Sequence, residues 1–160
     1  MSKIKSVISS LENAVEILPS IVREIPPELR KRRPSPEKWS AHEHACHLAE
    51  VHPMFFKRLD SMLSEQNPVI KPYFPDQDDE PDLLLKTDLD EALERFAVDR
   101  RKLIEKLKQF SPEDWERTAN HEEYAHYSIF IMFRHLALHD YLHTYRIEEL
   151  LLKKDWEINL

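Results

Sequence analysis

The sequence predicts an all-α fold, a four-helix bundle with a long crossover connection between the second and third helices. Three observations point there. Apolar residues recur at helical spacing in four long segments. A proline-rich, acidic stretch separates the second segment from the third, and no segment carries the two-residue alternation of a strand. The chain also has no glycine and 11 prolines. Without glycine, phosphate loops and dinucleotide-binding fingerprints are excluded, and tight two-residue hairpins are disfavoured.

The first helix is expected over residues 3 to 24, on the stripe Ile4, Val7, Ile8, Leu11, Val15, Ile17 and Leu18. Pro19 should kink it or break its last turn, because proline lacks the N–H of the helical ladder. Residues 26 to 36 read as a linker with at most one helical turn, and its basic run Arg30 to Arg33 reads as solvated.

Ser40-Ala41-His42-Glu43 is a capping box, with serine at the N-cap and glutamate three residues on. It opens a second helix to about Leu63, with Ala45, Leu48, Val51 or His52, Phe55, Leu59 and Met62 facing inward. Pro53 should bend that helix. Residues 66 to 87 form the crossover. Asp88 then caps a third helix through about Phe110, with Leu89, Leu93, Phe96, Leu103 and Leu107 as its stripe. Ser111-Pro112-Glu113-Asp114 starts a short helix, and the last long helix runs from Tyr127 or Ser128 to about Lys153.

The 160 residues suit a single domain over 1–160, and the formal net charge is -7. That charge argues against non-specific nucleic-acid binding and against docking on anionic membrane. No apolar run approaches the roughly 18 residues of a membrane span. Met1-Ser2-Lys3-Ile4-Lys5 leads into a polar amphipathic segment and not a signal-peptide core. Cys46 is the single cysteine, so no internal disulfide can form; it reads as a small buried thiol. A cytoplasmic location is expected.

Chemistry concentrates in the histidines. His139-Asp140-Tyr141-Leu142-His143 places two imidazoles one helical turn apart on one face. That face also carries Met132, Leu136, Ile147 and Leu150, so both lie in an apolar stripe. A lone histidine in such a stripe is usually a hydrogen-bonded core residue. Two of them carry a desolvation cost that a divalent ion offsets, since neutral imidazole is a common metal ligand. His135 lies off the centre of the stripe and reads as a supporting or surface residue. Asp140 points some 100° away from His139, as a supporting or surface carboxylate.

A third ligand would complete an open three-histidine site. His42, His44, His47 and His52 are the candidates, and the pattern favours His47, beside Leu48 and Val51. His44 is the one most suited to partial exposure. Trp39 and Trp115 are expected to plug the ends of the bundle.

Three stretches carry a family resemblance: Arg33-Pro34-Ser35-Pro36-Glu37-Lys38-Trp39-Ser40 with Glu43 and His47-Leu48; Phe110-Ser111-Pro112-Glu113-Asp114-Trp115; and His139-Asp140-Tyr141-Leu142-His143 with Arg146-Ile147. In this order the chain resembles the DinB-like superfamily of four-helix-bundle proteins, which includes YfiT-type metal-dependent hydrolases. The resemblance implies that His47, His139 and His143 are metal ligands, that the ion is nickel, zinc or iron, and that the protein is a homodimer. It departs at Arg146, where many members have glutamine.

Relatives that use low-molecular-weight thiols make a small-thiol S-transferase the leading expectation. Arg146 would then attract the anionic part of the thiol cofactor. A metal-dependent hydrolase is the alternative, with Glu43 or Glu50 as the general base. A non-catalytic stress or interaction bundle is the third reading.

Overall fold

The computed structural model describes residues 2–154. The single domain expected over 1–160 includes residues 1 and 155–160, which lie outside the described residues. In chain order the elements are α1 (Ser2–Glu24), α2 (Ala41–Glu50), α3 (His52–Ser64), β1 (Val69–Ile70), α4 (Pro75–Asp78), α5 (Leu83–Lys86), α6 (Leu89–Lys108), α7 (Pro112–Glu116), β2 (Thr118–His121), β3 (Tyr127–Ser128) and α8 (Ile129–Leu151). α1 packs on α6 and α8, and α2 packs on the same two helices, which gives the expected bundle with its crossover between α3 and α6. No helix among the described residues is long and apolar enough to cross a membrane.

Local chemistry sets the helix limits. The Ser40 hydroxyl accepts from the Glu43 N–H at 3.2 Å, while the Glu43 carboxylate accepts from the Ser40 N–H at 2.8 Å. Asp88, Ser111 and Ser128 cap α6, α7 and α8 through the backbone N–H groups of Glu91, Asp114 and Ile131. α1 runs through Pro19 to Glu24, so the proline does not break its last turn. Leu18, Val22 and Ile25, all buried, hold that end against the bundle despite the missing backbone donor. The predicted second helix divides in two at Val51, and Pro53 takes a first-turn position in α3, where no intrahelical donor is required of it.

The strands were not foreseen. β1 lies parallel to β2, with Val69 opposite Asn120 and Ile70 opposite His121. β2 lies antiparallel to β3, with Ala119 opposite Tyr127. Segments of two to four residues are too short to show alternation. The crossover holds β1 and two single-turn helices, α4 and α5. Where the backbone must turn left-handed, Asn67 (φ 57°) and Asp82 (φ 59°) do so; their short polar side chains tolerate that region better than most. The Arg30–Arg33 run is solvated only in part: Lys31 and Arg32 are exposed, whereas Arg30 and Arg33 are half-buried. The Arg30 Nε donates to the Ile25 carbonyl at 2.9 Å, Lys31 donates to the Leu85 carbonyl at 2.8 Å, and Arg33 pairs with Glu43 and Asp82. These contacts tie the linker and the crossover to the end of α2.

Two apolar clusters fill the bundle. One gathers Leu11, Leu59, Met62, Leu103, Phe133 and Leu136; the other gathers Leu18, Val22, Leu48, Phe96 and Ile147. On α6 and α8 the residues that fall between the two sets are Arg100 and Asp140, both fully buried. The Arg100 guanidinium donates twice to the Asp140 carboxylate, at 2.5 and 3.1 Å, and once to His52 Nε2 at 3.0 Å. It also reaches the Leu11 carbonyl at 3.4 Å and lies 4.7 Å from the Phe96 ring centroid. Asp140 is therefore not a surface carboxylate, and its hydrogen bonds go to Arg100 and not to a histidine nitrogen. It is the acceptor of a buried polar layer joining α1, α3, α6 and α8.

Candidate metal centre

α2 contributes His47 and α8 contributes His139 and His143, and their imidazoles converge. His47 Nε2 lies 3.0 Å from His139 Nε2, which lies 3.0 Å from His143 Nε2. One ligand nitrogen of each residue falls within 4.8 Å of the other two. A tetrahedral ion with metal–nitrogen bonds of about 2.0–2.1 Å holds its nitrogen ligands roughly 3.3–3.4 Å apart. The His47–His139 and His139–His143 pairs each need to spread by only about 0.4 Å to match that.

The donor set also has the protonation state that a metal needs. Burial pushes His47 down to about 3, with the neighbouring His139 and His44 adding to the effect. Burial and then the Arg100 charge bring His139 to about 4. Burial, followed by the charges of His139, His47, His44 and Arg146, pushes His143 lower still. All three rings are neutral at pH 7, as metal ligation requires. The buried Nδ1 atoms of His47 and His139 have no hydrogen-bond partner among the described residues. Coordination through Nε2 would leave the proton on each of these Nδ1 atoms and give the converging Nε2 lone pairs a partner. A divalent cation therefore fits this set.

His44 stands behind the third imidazole of the cluster. Its Nδ1 is 2.8 Å from His143 Nδ1. With metal on His143 Nε2, the His143 Nδ1–H donates to a neutral His44, which burial holds at about 4. His44 is half-buried, as its position suggested. Trp39 packs against this group, its ring centroid 4.9 Å from His47, 5.5 Å from His44 and 5.8 Å from His143. It plugs the bundle end, but it is also a wall of the site.

The other two candidates for third ligand, His42 and His52, serve elsewhere. His42 Nε2 bonds the Thr87 carbonyl at 2.9 Å, and His52 accepts from Arg100. Cys46 is buried, and burial raises its thiol to about 12. The carboxylates proposed from sequence as general bases are engaged. Glu43 pairs with Arg33 and holds the capping box, and Glu50 pairs with Arg95 at 2.6 Å. Arg146 sits on the exposed face of α8, 2.6 Å from Glu149, and is not among the residues lining the cavity described next.

A cavity of about 650 Å³ opens on the three histidines. α3 lines it with Met54, Phe55 and Arg58; the crossover with Pro72 to Asp76; the β2–β3 connection with His121, Glu123 and Tyr124; and α8 with His135, Leu138 and Leu142. The Tyr73 ring lies parallel to His47 at 6.5 Å, and its hydroxyl donates to Asp79, which anchors the crossover over the site. His135, away from the centre of the stripe, packs against Tyr124 at 5.1 Å and belongs to the cavity wall. Sequence reasoning missed Arg58, Tyr73, Tyr124 and Tyr127. They lie one at a time on irregular segments, on a two-residue strand or on a partly exposed helix turn, where periodicity says nothing.

A model of the DinB superfamily matches residues 10–147. A "putative metal-dependent hydrolase" of Oceanobacillus iheyensis is 28% identical over 155 residues, covering 94% of this chain and 89% of its own. A protein of the same description from Bacillus cereus is 28% identical over 119 residues, covering 74% of this chain and 68% of its own. Among solved structures, YfiT from Bacillus subtilis, titled a "probable metal-dependent hydrolase with an unusual four-helix bundle topology", superposes with a TM-score of 0.84 at 18% identity. That match covers 96% of this chain and 89% of YfiT, and it speaks to the fold.

Proposed function

The chain belongs to the DinB superfamily, and from that membership we propose that it is a divalent-metal-dependent hydrolase of small molecules, with His47, His139 and His143 as the metal ligands. The observation that carries this reading is the convergence of three neutral Nε2 atoms on the wall of an open cavity. When bound, nickel, zinc or iron supplies Lewis-acid polarisation and lowers the pKa of water or of a thiol. The protein's own groups do the rest. His44 fixes the ring orientation of His143, and Trp39 and Tyr73 pack against the His47 ring. His135 is half-buried on the cavity wall, and burial, then Arg134, lowers its pKa. As an imidazole on that wall it is a candidate to accept a proton from a bound water.

One observation favours S-transfer with a low-molecular-weight thiol as a second reading. Glu43, Glu50 and Asp140, the carboxylates nearest the ligands in sequence, are all held in ion pairs. Thiol chemistry needs no free carboxylate base, because the nucleophile is used as the thiolate.

The test measures metal content and then activity on two panels, esters and amides with water, and electrophiles with small thiols. Hydrolysis that follows zinc or nickel loading and vanishes in a folded His143→Ala variant supports the proposal. Equal hydrolysis by chelator-treated protein refutes it, and turnover confined to the thiol panel selects the second reading.

We also propose that the protein is a homodimer formed through α8. Leu138, Tyr141, Leu142 and Tyr145 are exposed and form a stripe. Antiparallel pairing of two copies about the point between Tyr141 and Leu142 sets Leu138 opposite Tyr145 and Arg134 opposite Glu149. Apolar groups then face apolar groups, and opposite charges meet.

A further inference from the structure

Arg58 is the one lysine or arginine lining the cavity, and it forms no ion pair among the described residues. It sits on α3, half-buried, with its guanidinium carbon 5.8 Å from the Phe55 centroid. Its Nη2 donates to the Lys71 carbonyl at 2.6 Å, and Tyr127 is a hydrogen-bonding neighbour. A guanidinium has five N–H donors, so these contacts leave several unused. The carboxylates on the same cavity, Asp76 and Glu123, are exposed at its rim and pair with no lysine or arginine among the described residues. A partly desolvated cation on a largely aromatic wall, held by a neutral carbonyl and not by a carboxylate, is arranged for an anion from outside.

A second donor stands beside it. The Glu123 N–H donates to His121 Nδ1 at 3.1 Å, so in the neutral ring the proton is on Nε2. The His121 ring lies 4.6 Å from both Tyr124 and Tyr127. The separation from the histidine triad is set by the helices. Arg58 follows His47 by eleven residues, about 16 Å of helical rise less what the break at Val51 removes.

We propose that Arg58, with the His121 Nε2–H and the Tyr127 hydroxyl, forms a carboxylate subsite, so that the preferred ligands are elongated small molecules with a metal-seeking group at one end and a carboxylate at the other. The second half of this statement rests on the metal reading of His47, His139 and His143; the subsite itself does not. It gives the anion-binding role expected of Arg146 to a residue that faces the cavity.

The experiment uses zinc-loaded protein and two series of linear hydroxamates of increasing length, one ending in a carboxylate and the other in a methyl group, with dissociation constants from calorimetry. The carboxylate series should bind about tenfold more tightly at its best length. That preference should disappear in Arg58→Gln, persist in part in Arg58→Lys and persist fully in Arg146→Gln. The zinc affinity of Arg58→Gln should match wild type, with Tm lower only by the few degrees that the lost Lys71 and Tyr127 contacts account for.

Equal affinity of the two series for wild type, or a preference that survives Arg58→Gln, overturns the proposal. A second arm titrates linear dicarboxylates into chelator-treated protein. Binding there that Arg58→Gln abolishes, alongside hydroxamates that fail to bind the zinc-treated protein, leaves the subsite standing and removes the metal reading. No binding in either arm overturns the subsite.

Discussion

Replacing Arg100 by methionine should cost about 3–5 kcal/mol at pH 7. Arg100 is wholly buried and Asp140 is 1% exposed, and two hydrogen bonds join them. The substitution strands the Asp140 carboxylate away from water, with only burial left to act on it, and burial favours the protonated form. For a chain of this length the loss corresponds to a fall in Tm of roughly 10–15 °C.

The sign of the pH dependence follows from the same state. In Arg100→Met the native carboxyl binds its proton more tightly than in the unfolded chain. Stability relative to wild type is therefore best at low pH and declines as pH rises through the interval between the unfolded and folded values. Each pH unit within that interval changes it by about 1.4 kcal/mol, so the deficit should shrink by up to about 2.7 kcal/mol between pH 7 and pH 5. His52, no longer held neutral in part by the Arg100 charge, acts in the same direction.

Urea denaturation of chelator-treated wild type and variant at both pH values measures this. The double variant Arg100→Met/Asp140→Leu leaves no stranded charge and should recover most of the loss together with the wild-type pH profile. A double variant as unstable as the single one, or a deficit independent of pH, would refute the reasoning.

His44→Ala should weaken zinc binding by about 10–100-fold in a chelator competition while leaving the fold intact, because His143 loses its hydrogen-bond partner. Zinc affinity of the wild type should hold nearly level from pH 7 down to about pH 5, since His47 and His139 titrate near 3 and 4; a fall centred on pH 6.5 would show that these rings are solvated. The metal-free protein behaves differently under the same depressed values: its unfolded histidines take up protons below about 6.5, so its stability should drop as pH falls through 6 in thermal melts. If the proposed α8 dimer forms, Tyr145→Glu should leave a monomer in sedimentation equilibrium without altering zinc uptake, and a wild type that is already monomeric overturns that proposal.

Much of this arrangement was legible because helices announce themselves by period. The stripe Met132, Leu136, His139, His143, Ile147 and Leu150 placed both α8 ligands on the inner face, and the Ser40–Glu43 box fixed where α2 begins. Periodicity alone could not choose among His42, His44, His47 and His52, since helix–helix rotation decides which of four nearby rings meets α8. Nor could it foresee Arg100 meeting Asp140, because a buried charge reads as a surface one until its partner is seen. The cavity wall was the least legible part. Tyr73, His121 and Tyr127 reach it from strands and turns whose pairing depends on contacts distant in sequence. Arg33 was misread for the same reason: its partner Glu43 lies across the start of a helix and not along one.

The site stands on two kinds of footing. The histidines proposed as metal ligands hang from α2 and from α8, the latter pinned by the Arg100–Asp140 layer, whereas much of the opposite wall comes from the crossover and the β2–β3 connection. Changes to residues 72–76 or 121–127 can thus alter what the cavity admits while the imidazoles stay in place. This division makes the bundle a fixed chuck with an exchangeable jaw. Diversification in such a fold should collect in those two short stretches, and grafting them between relatives should transfer ligand preference without resetting the metal.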